Sequence, residues 1–206
     1  MKSCGTAVLL FVLFAPITAT AEPFTLMSVP SPITTWAAND HDYAVVLAPL
    51  ITWDAAAAAT AAFAGGWHLA TITSAAEQGF VGSLALSGSE FWLGGFQNPL
   101  TTVAADANWT WVTGEPFTYT NWNAATFLEP NDYYGPGTEQ HLALLGSSLF
   151  LGPAGTWNDE GKPLNVSGYV LERPAQAAVP EPSSIGLTLL GLVSLGLVLR
   201  RHSARS

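Results

Sequence analysis

The stretch FLEPNDYYGPGTEQHLALL, residues 127–145, gathers the carboxylates of Glu129, Asp132 and Glu139 and the amide of Asn131 around Pro130, Gly135 and Gly137, with an apolar run directly behind. Asn158 and Asp159 add a further amide and carboxylate after Trp157. Oxygen donors in such density suit cation binding or acid–base work by paired carboxylates; the plain alternative is a solvated turn between strands. Glycoside hydrolysis by Glu129, Glu139 and Asp159 would need a cleft and carboxyl groups about 5 to 9.5 Å apart. No nucleophile, base and orienting group accompany them, so the chain is not expected to be an enzyme.

Charge narrows the partners. Between Glu22 and Pro180 only Lys162 and Arg173 are formally basic, against fourteen carboxylates, all fifteen of the chain except Glu181. Such a surface repels nucleic acid and anionic lipid and favours divalent cations, without locating a site for one. His41 and His68 show no metal-like clustering, and His141 reads as a strand residue.

The ends read as address labels. Residues 1–21, MKSCGTAVLLFVLFAPITATA, carry a lysine, an apolar run from Ala7 to Ala15 and small residues at Ala19 and Ala21, the layout of a secretory signal peptide. Cys4, the single cysteine, lies inside it, so the exported domain has no disulfide or thiol chemistry. At the other end, residues 174–184 form a linker containing Pro180-Glu181-Pro182. An apolar helix over 185–199 follows, then a basic tail over 200–206 with Arg200, Arg201 and Arg205. That helix spans roughly 22 Å, short for a bilayer unless the arginines snorkel. This tail resembles the PEP-CTERM sorting signal of Gram-negative bacteria. The resemblance implies processing by an exosortase after transient inner-membrane anchoring of the precursor, and a final place on the outer surface or in the extracellular matrix.

Residues 22–173 are left to carry function, enough for one hydrophobic core. Tyr43 to Leu47 reads as a strand ended by Pro49. An alanine-rich helix capped by Asp54 and closed by Gly65-Gly66 follows, then a strand over 67–72. Ser74 and Glu77 form a capping box for a second helix with Phe80, Val81 and Leu84 on its apolar face. Short strands come next, at EFWLGG, around WTW, at HLALL and over Gly168 to Glu172, with a long irregular region before HLALL. The order is α+β with the helices early. Trp92, Trp109, Trp111, Trp122 and Trp157 are expected in the core.

Taken in order, GGWHLATITSAAEQGFV, FWLGG, WTWVTGEPFTYTNW, EPN, EQHLALL, TWND and GYVLE resemble a C-type lectin-like domain of the Glu-Pro-Asn type over about Trp36 to Glu172. The resemblance implies two helices packed on short antiparallel sheets and a long calcium-binding loop region. It assigns Ca2+ ligand roles to Glu129, Asn131, Glu139, Asn158 and Asp159, with Pro130 as a cis proline. The same residues would bind the hydroxyls of mannose-, glucose- or fucose-type sugars, and Tyr133, beside Tyr134, would stack on a sugar face. The chemistry agrees, since calcium takes six to eight hard oxygens, while an ion-bound carboxylate still accepts from a hydroxyl and an amide still donates to one. The family's usual cysteines are absent, and the segment from Gln140 to Trp157 is longer than a minimal version, with a hairpin expected around GSSLFLGPAG. The implied function is calcium-dependent binding of a polysaccharide or glycan at the envelope or matrix. The alternative is a structural or adhesive matrix protein that keeps the fold and binds protein.

Overall fold

The computed structural model describes residues 32–84, 87–147 and 151–174. The expected signal peptide, the Pro-Glu-Pro segment with the apolar helix expected after it, and the centre of the expected hairpin lie outside these. Among the described residues no helix is long and apolar enough to cross a membrane.

Helix α1, Trp53–Thr60, is capped by Thr52, whose hydroxyl accepts from the Ala55 N–H at 3.2 Å. Asp54, expected as the cap, falls in the first turn, where its charge favours the positive end of the helix. The helix stops before Gly65 and Gly66, whose φ values of 102° and 74° turn the chain into the next strand. Helix α2, Ala75–Gly82, begins at Ser74 as expected, with the Ser74 hydroxyl accepting from the Glu77 N–H. The reciprocal bond shifts by one residue: Glu77 accepts from the N–H of Thr73 at 2.7 Å.

The strands are β1 (Thr34–Trp36), β2 (His41–Leu47), β3 (His68–Leu69), β4 (Glu90–Gln97), β5 (Trp109–Trp111), β6 (His141–Leu145), β7 (Trp157–Glu160) and β8 (Val166–Pro174). They join one eight-stranded sheet in the order β1-β2-β8-β4-β6-β7, with β3 beside β8 and β5 beside β4. The expected separate antiparallel sheets are therefore a single mixed sheet, because β4 runs parallel to β8 at its centre. Strand β3 is shorter than expected. After Leu69 the chain leaves the ladder and the Ala70 carbonyl takes the N–H of Gly94.

Side chains alternate between the two faces of the sheet. Phe91, Leu93, Leu142, Leu144, Trp157 and Val170 pack with Val81 of α2 in one core, while Trp92, Ala143, Tyr169 and Leu171 pack with Ala56 of α1 in the other. Trp92, Trp111 and Trp157 are fully buried; Trp109 and Trp122 are half-buried against the first core. Trp157 meets Trp111, Tyr119 and Trp122 edge-on, and its indole N–H donates to Gln78 at 2.7 Å. In a domain without a disulfide this aromatic block carries much of the burial.

Trp157→Ala is expected to destabilise the domain by about 3–5 kcal/mol, measured by denaturant unfolding.

Candidate functional site

Strand β7 ends the sheet and organises the acidic region from there. On its free edge the Trp157 N–H donates to the Asn121 carbonyl and the Trp157 carbonyl accepts from the Asn123 N–H, both at 2.9 Å. The Asn123 carbonyl then takes the Glu129 N–H at 3.0 Å, which brings the Glu-Pro-Asn turn against the sheet. Asn123 is itself buried, with Oδ1 accepting from Ala125 and Thr126 N–H groups and Nδ2 donating to the Leu151 carbonyl.

Two carboxylates set the turn. Asp159, fully buried, accepts from the Asn131 N–H and the Asp132 N–H, each at 2.9 Å. Asp132 closes the following segment on itself by accepting from the N–H groups of Gly137, Thr138 and Glu139 at 2.8, 3.1 and 3.0 Å. Glu139 in turn accepts from the Tyr133 N–H at 2.5 Å. The Glu129-Pro130 bond is cis. The end of β7 presses close behind, since a Cβ at Gly161 would lie 1.8 Å from the Thr138 carbonyl oxygen.

The result is a cavity of about 330 Å³ whose walls include Glu129, Asn131, Tyr133, Glu139, Asn158 and Glu160. Five of the six expected site residues thus line one cavity; Asp159 is not among its lining and holds the turn from within. Tyr133 is 74% exposed at the rim and meets Tyr134 edge-on at 5.2 Å, while the Lys162 amine lies 3.7 Å over the Tyr134 ring.

Polar atoms here are left without partners. Glu129 Oε2 and Asn131 Oδ1 are buried with no hydrogen bond, as is Glu90 Oε2 beneath Asn158. Elsewhere the protein satisfies buried carboxylates fully. Glu172 accepts from the Thr71 N–H at 2.7 Å and meets His41 Nδ1 at 2.6 Å, and Glu77 accepts from the Thr73 N–H at 2.7 Å and the Tyr43 hydroxyl at 2.6 Å. Among the described residues no lysine or arginine forms an ion pair with the cavity carboxylates. Nor is any group of three or more His, Cys, Asp or Glu side chains arranged there to hold a metal ion.

Burial raises the carboxyl groups out of their ordinary range. Glu90 is pushed up to about 7, by burial first and the Glu160 charge second. Glu139 rises to about 8 through burial and the charges of Asp159, Glu160 and Asp132, although the Tyr133 N–H opposes the shift. Glu129 and Asp159 are both raised by burial first, and the Asp159 charge raises Glu129 further.

Sequence reading passed over Asn123, Glu90 and Glu160 and left Asp132 out of the ligand set. Glu160 follows Trp-Asn-Asp directly, and Asp132 adjoins Glu-Pro-Asn, so proximity was the available signal. Glu90 opens an otherwise apolar strand and carried none.

The Lectin C-type domain family matches residues 50–149, and the PEP-CTERM protein-sorting motif matches residues 178–201. Comparison with curated proteins finds no match. Solved structures sharing the fold include the mouse scavenger receptor C-type lectin carbohydrate-recognition domain, 21% identical with a TM-score of 0.50 over 71% of this chain and 96% of that one. The cow CD23 carbohydrate-recognition domain, solved in the presence of a GlcNAc2Man3 oligosaccharide, is 24% identical with a TM-score of 0.52 over 67% and 91%. A calcium-independent type II antifreeze protein is 24% identical with a TM-score of 0.51 over 71% and 95%. The described domain has a C-type lectin-like fold.

A carboxyl group raised on folding keeps a proton that the unfolded chain has lost. Its contribution to stability is complete below about pH 4.5 and is lost as pH rises through the folded values of about 7 and 8 for Glu90 and Glu139. In chelator, the melting temperature is therefore expected to fall from about pH 5 to pH 8.5, and Glu139→Gln to flatten that fall. Thermal melts across this range are the measurement.

Proposed function

From the C-type lectin-like fold and the PEP-CTERM sorting motif, we propose that this chain is an exported carbohydrate-binding protein. It retains a polysaccharide or glycan at the envelope or in the extracellular matrix through a calcium ion held in the cavity at β7. The supporting observation is the pair of buried oxygens without partners, Glu129 Oε2 and Asn131 Oδ1, with Glu139 and Asn158 in the lining of the same cavity. Unpaired buried charge is costly, and a hard cation satisfies such oxygens directly.

In this reading Glu129, Asn131, Glu139 and Asn158 hold the ion. Asp159 joins them through lone pairs left after its two backbone bonds. The bound ion supplies coordination positions for a pair of sugar hydroxyls. Around it, Glu129 and Glu139 accept hydroxyl protons, and Asn131 and Asn158 donate through the second N–H of each amide, the first being held by the Phe127 carbonyl and by Glu90, which selects neighbouring equatorial hydroxyls of the mannose, glucose or fucose type. Tyr133 offers an exposed ring at the rim for a sugar face. The calcium loop is the irregular segment 112–140 between β5 and β6. Exosortase processing acts on the C-terminal motif, and the membrane is touched only through the precursor's apolar helix.

A second reading has its own support. No group of three or more acidic or histidine side chains is poised for a metal among the described residues, and the fold is shared with a calcium-independent antifreeze protein. In that case the domain is an adhesive or structural matrix component that binds protein.

Calorimetric titration of the purified protein with calcium, then with mannose and galactose, separates the readings. Calcium heat followed by mannose heat is expected, with both abolished in Glu129→Gln and Asn158→Ala, and with Tyr133→Ala weakening only the sugar. Retention on a mannose matrix that persists unchanged in chelator would sink the calcium reading, and firm retention by an envelope protein with no sugar response selects the second.

A further inference from the structure

We propose that Glu90 is a positioning residue, a buried carboxylate that holds Asn158 with its amide nitrogen inward so that the amide oxygen faces the cavity. The inference rests on the cation reading of that cavity and adds to it a residue outside the Glu-Pro-Asn and Trp-Asn-Asp segments.

Glu90 is an expensive residue for its position. It opens β4 with no exposed surface, opposite Leu145 on β6 and Val166 on β8, and Phe91, Trp92 and Leu93 follow it. In such surroundings a leucine would bury apolar surface, whereas a carboxylate gives up its hydration. Its one hydrogen bond to another residue's side chain is from Asn158 Nδ2 to Oε1 at 2.8 Å, and its Oε2 has no partner. Strand register explains how the two meet across β6. Asn158 pairs with Ala143 while Glu90 pairs with Leu145, two residues further along β6, so the two side chains stand on one face of the sheet and meet on the diagonal across that strand.

Glu90 Oε1 accepts from the Asn158 amide, so the amide presents its nitrogen to the carboxyl group. Asn158 is then left with Oδ1 on the cavity side, the orientation a hard cation requires. An apolar residue at position 90 would leave both amide orientations open, and the site would have to select one on binding. Glu160, the neighbouring carboxylate on the same face of β7, is already engaged by the N–H groups of Gly161 and Lys162 at 2.8 and 2.7 Å. It does not bond to Asn158.

The test compares Glu90→Leu and Glu90→Gln in the full chain by calcium titration, together with the side-chain amide resonances of Asn158 in chelator. A glutamine directs its NH2 to Glu160 and its oxygen to Asn158, which preserves the orientation without the charge. Glu90→Leu is expected to stay folded, to shift the Asn158 side-chain amide signals in the metal-free protein, and to bind calcium about tenfold more weakly or worse. Glu90→Gln is expected to restore both. Wild-type calcium affinity in Glu90→Leu, or equal loss in both variants, overturns the positioning role. If the wild-type protein gives no calcium response, the cation reading has failed instead. The amide signals then still decide the orientation, since unmoved signals in Glu90→Leu overturn it.

Discussion

A carboxylate shut away from water fastens the cavity to the sheet. Asp159 lies on the last strand of the order, fully buried, and takes the backbone N–H groups of Asn131 and Asp132 from a segment 27 to 28 residues earlier. Backbone donors on an anionic acceptor give strong hydrogen bonds. Because Trp157 two residues before is locked in the aromatic core, the strand that carries Asp159 has little freedom to follow the loop. The loop must follow the strand, and Asn158 between them acquires its place from both.

The molecule treats buried acids in two different ways. Glu77 and Glu172 lie between α2, β2 and β8 with donors from Thr71, Thr73, Tyr43 and His41, and they tie the first core together. Around the cavity, Glu90, Glu129, Glu139, Asp159 and Glu160 crowd together with fewer donors than oxygens, and burial raises the proton affinity of each. Buried acids short of donors cost stability. The first set ties the core together; the second costs the fold stability where it stands.

Much of this was legible in the sequence because it is local. Ser74 with Glu77, the short aromatic strand EFWLGG, and the Glu-Pro-Asn and Trp-Asn-Asp triplets each depend on neighbours within a few residues. What was not legible depends on register between distant strands. The parallel pairing of β4 with β8 merges the expected sheets into one, and the meeting of Glu90 and Asn158 depends on the diagonal that β4 and β7 make across β6. Thr52 displaced Asp54 as helix cap because both are good caps two residues apart, and only the backbone conformation distinguishes them. From its position beside the motif Asp132 reads equally as a spare ligand or a solvated neighbour, and its place in the loop's backbone network depends on a left-handed conformation with φ of 49°.

The free edge of β7 has one further consequence. Trp157 offers both its outward backbone groups to Asn121 and Asn123, so a segment of the same chain occupies the place where a foreign strand would dock. At the opposite end of the sheet β1 is only three residues long. Among the described residues the two ends of the sheet thus offer a neighbouring copy little exposed ladder to extend, a guard against strand-to-strand association in a domain with no disulfide to keep it from opening.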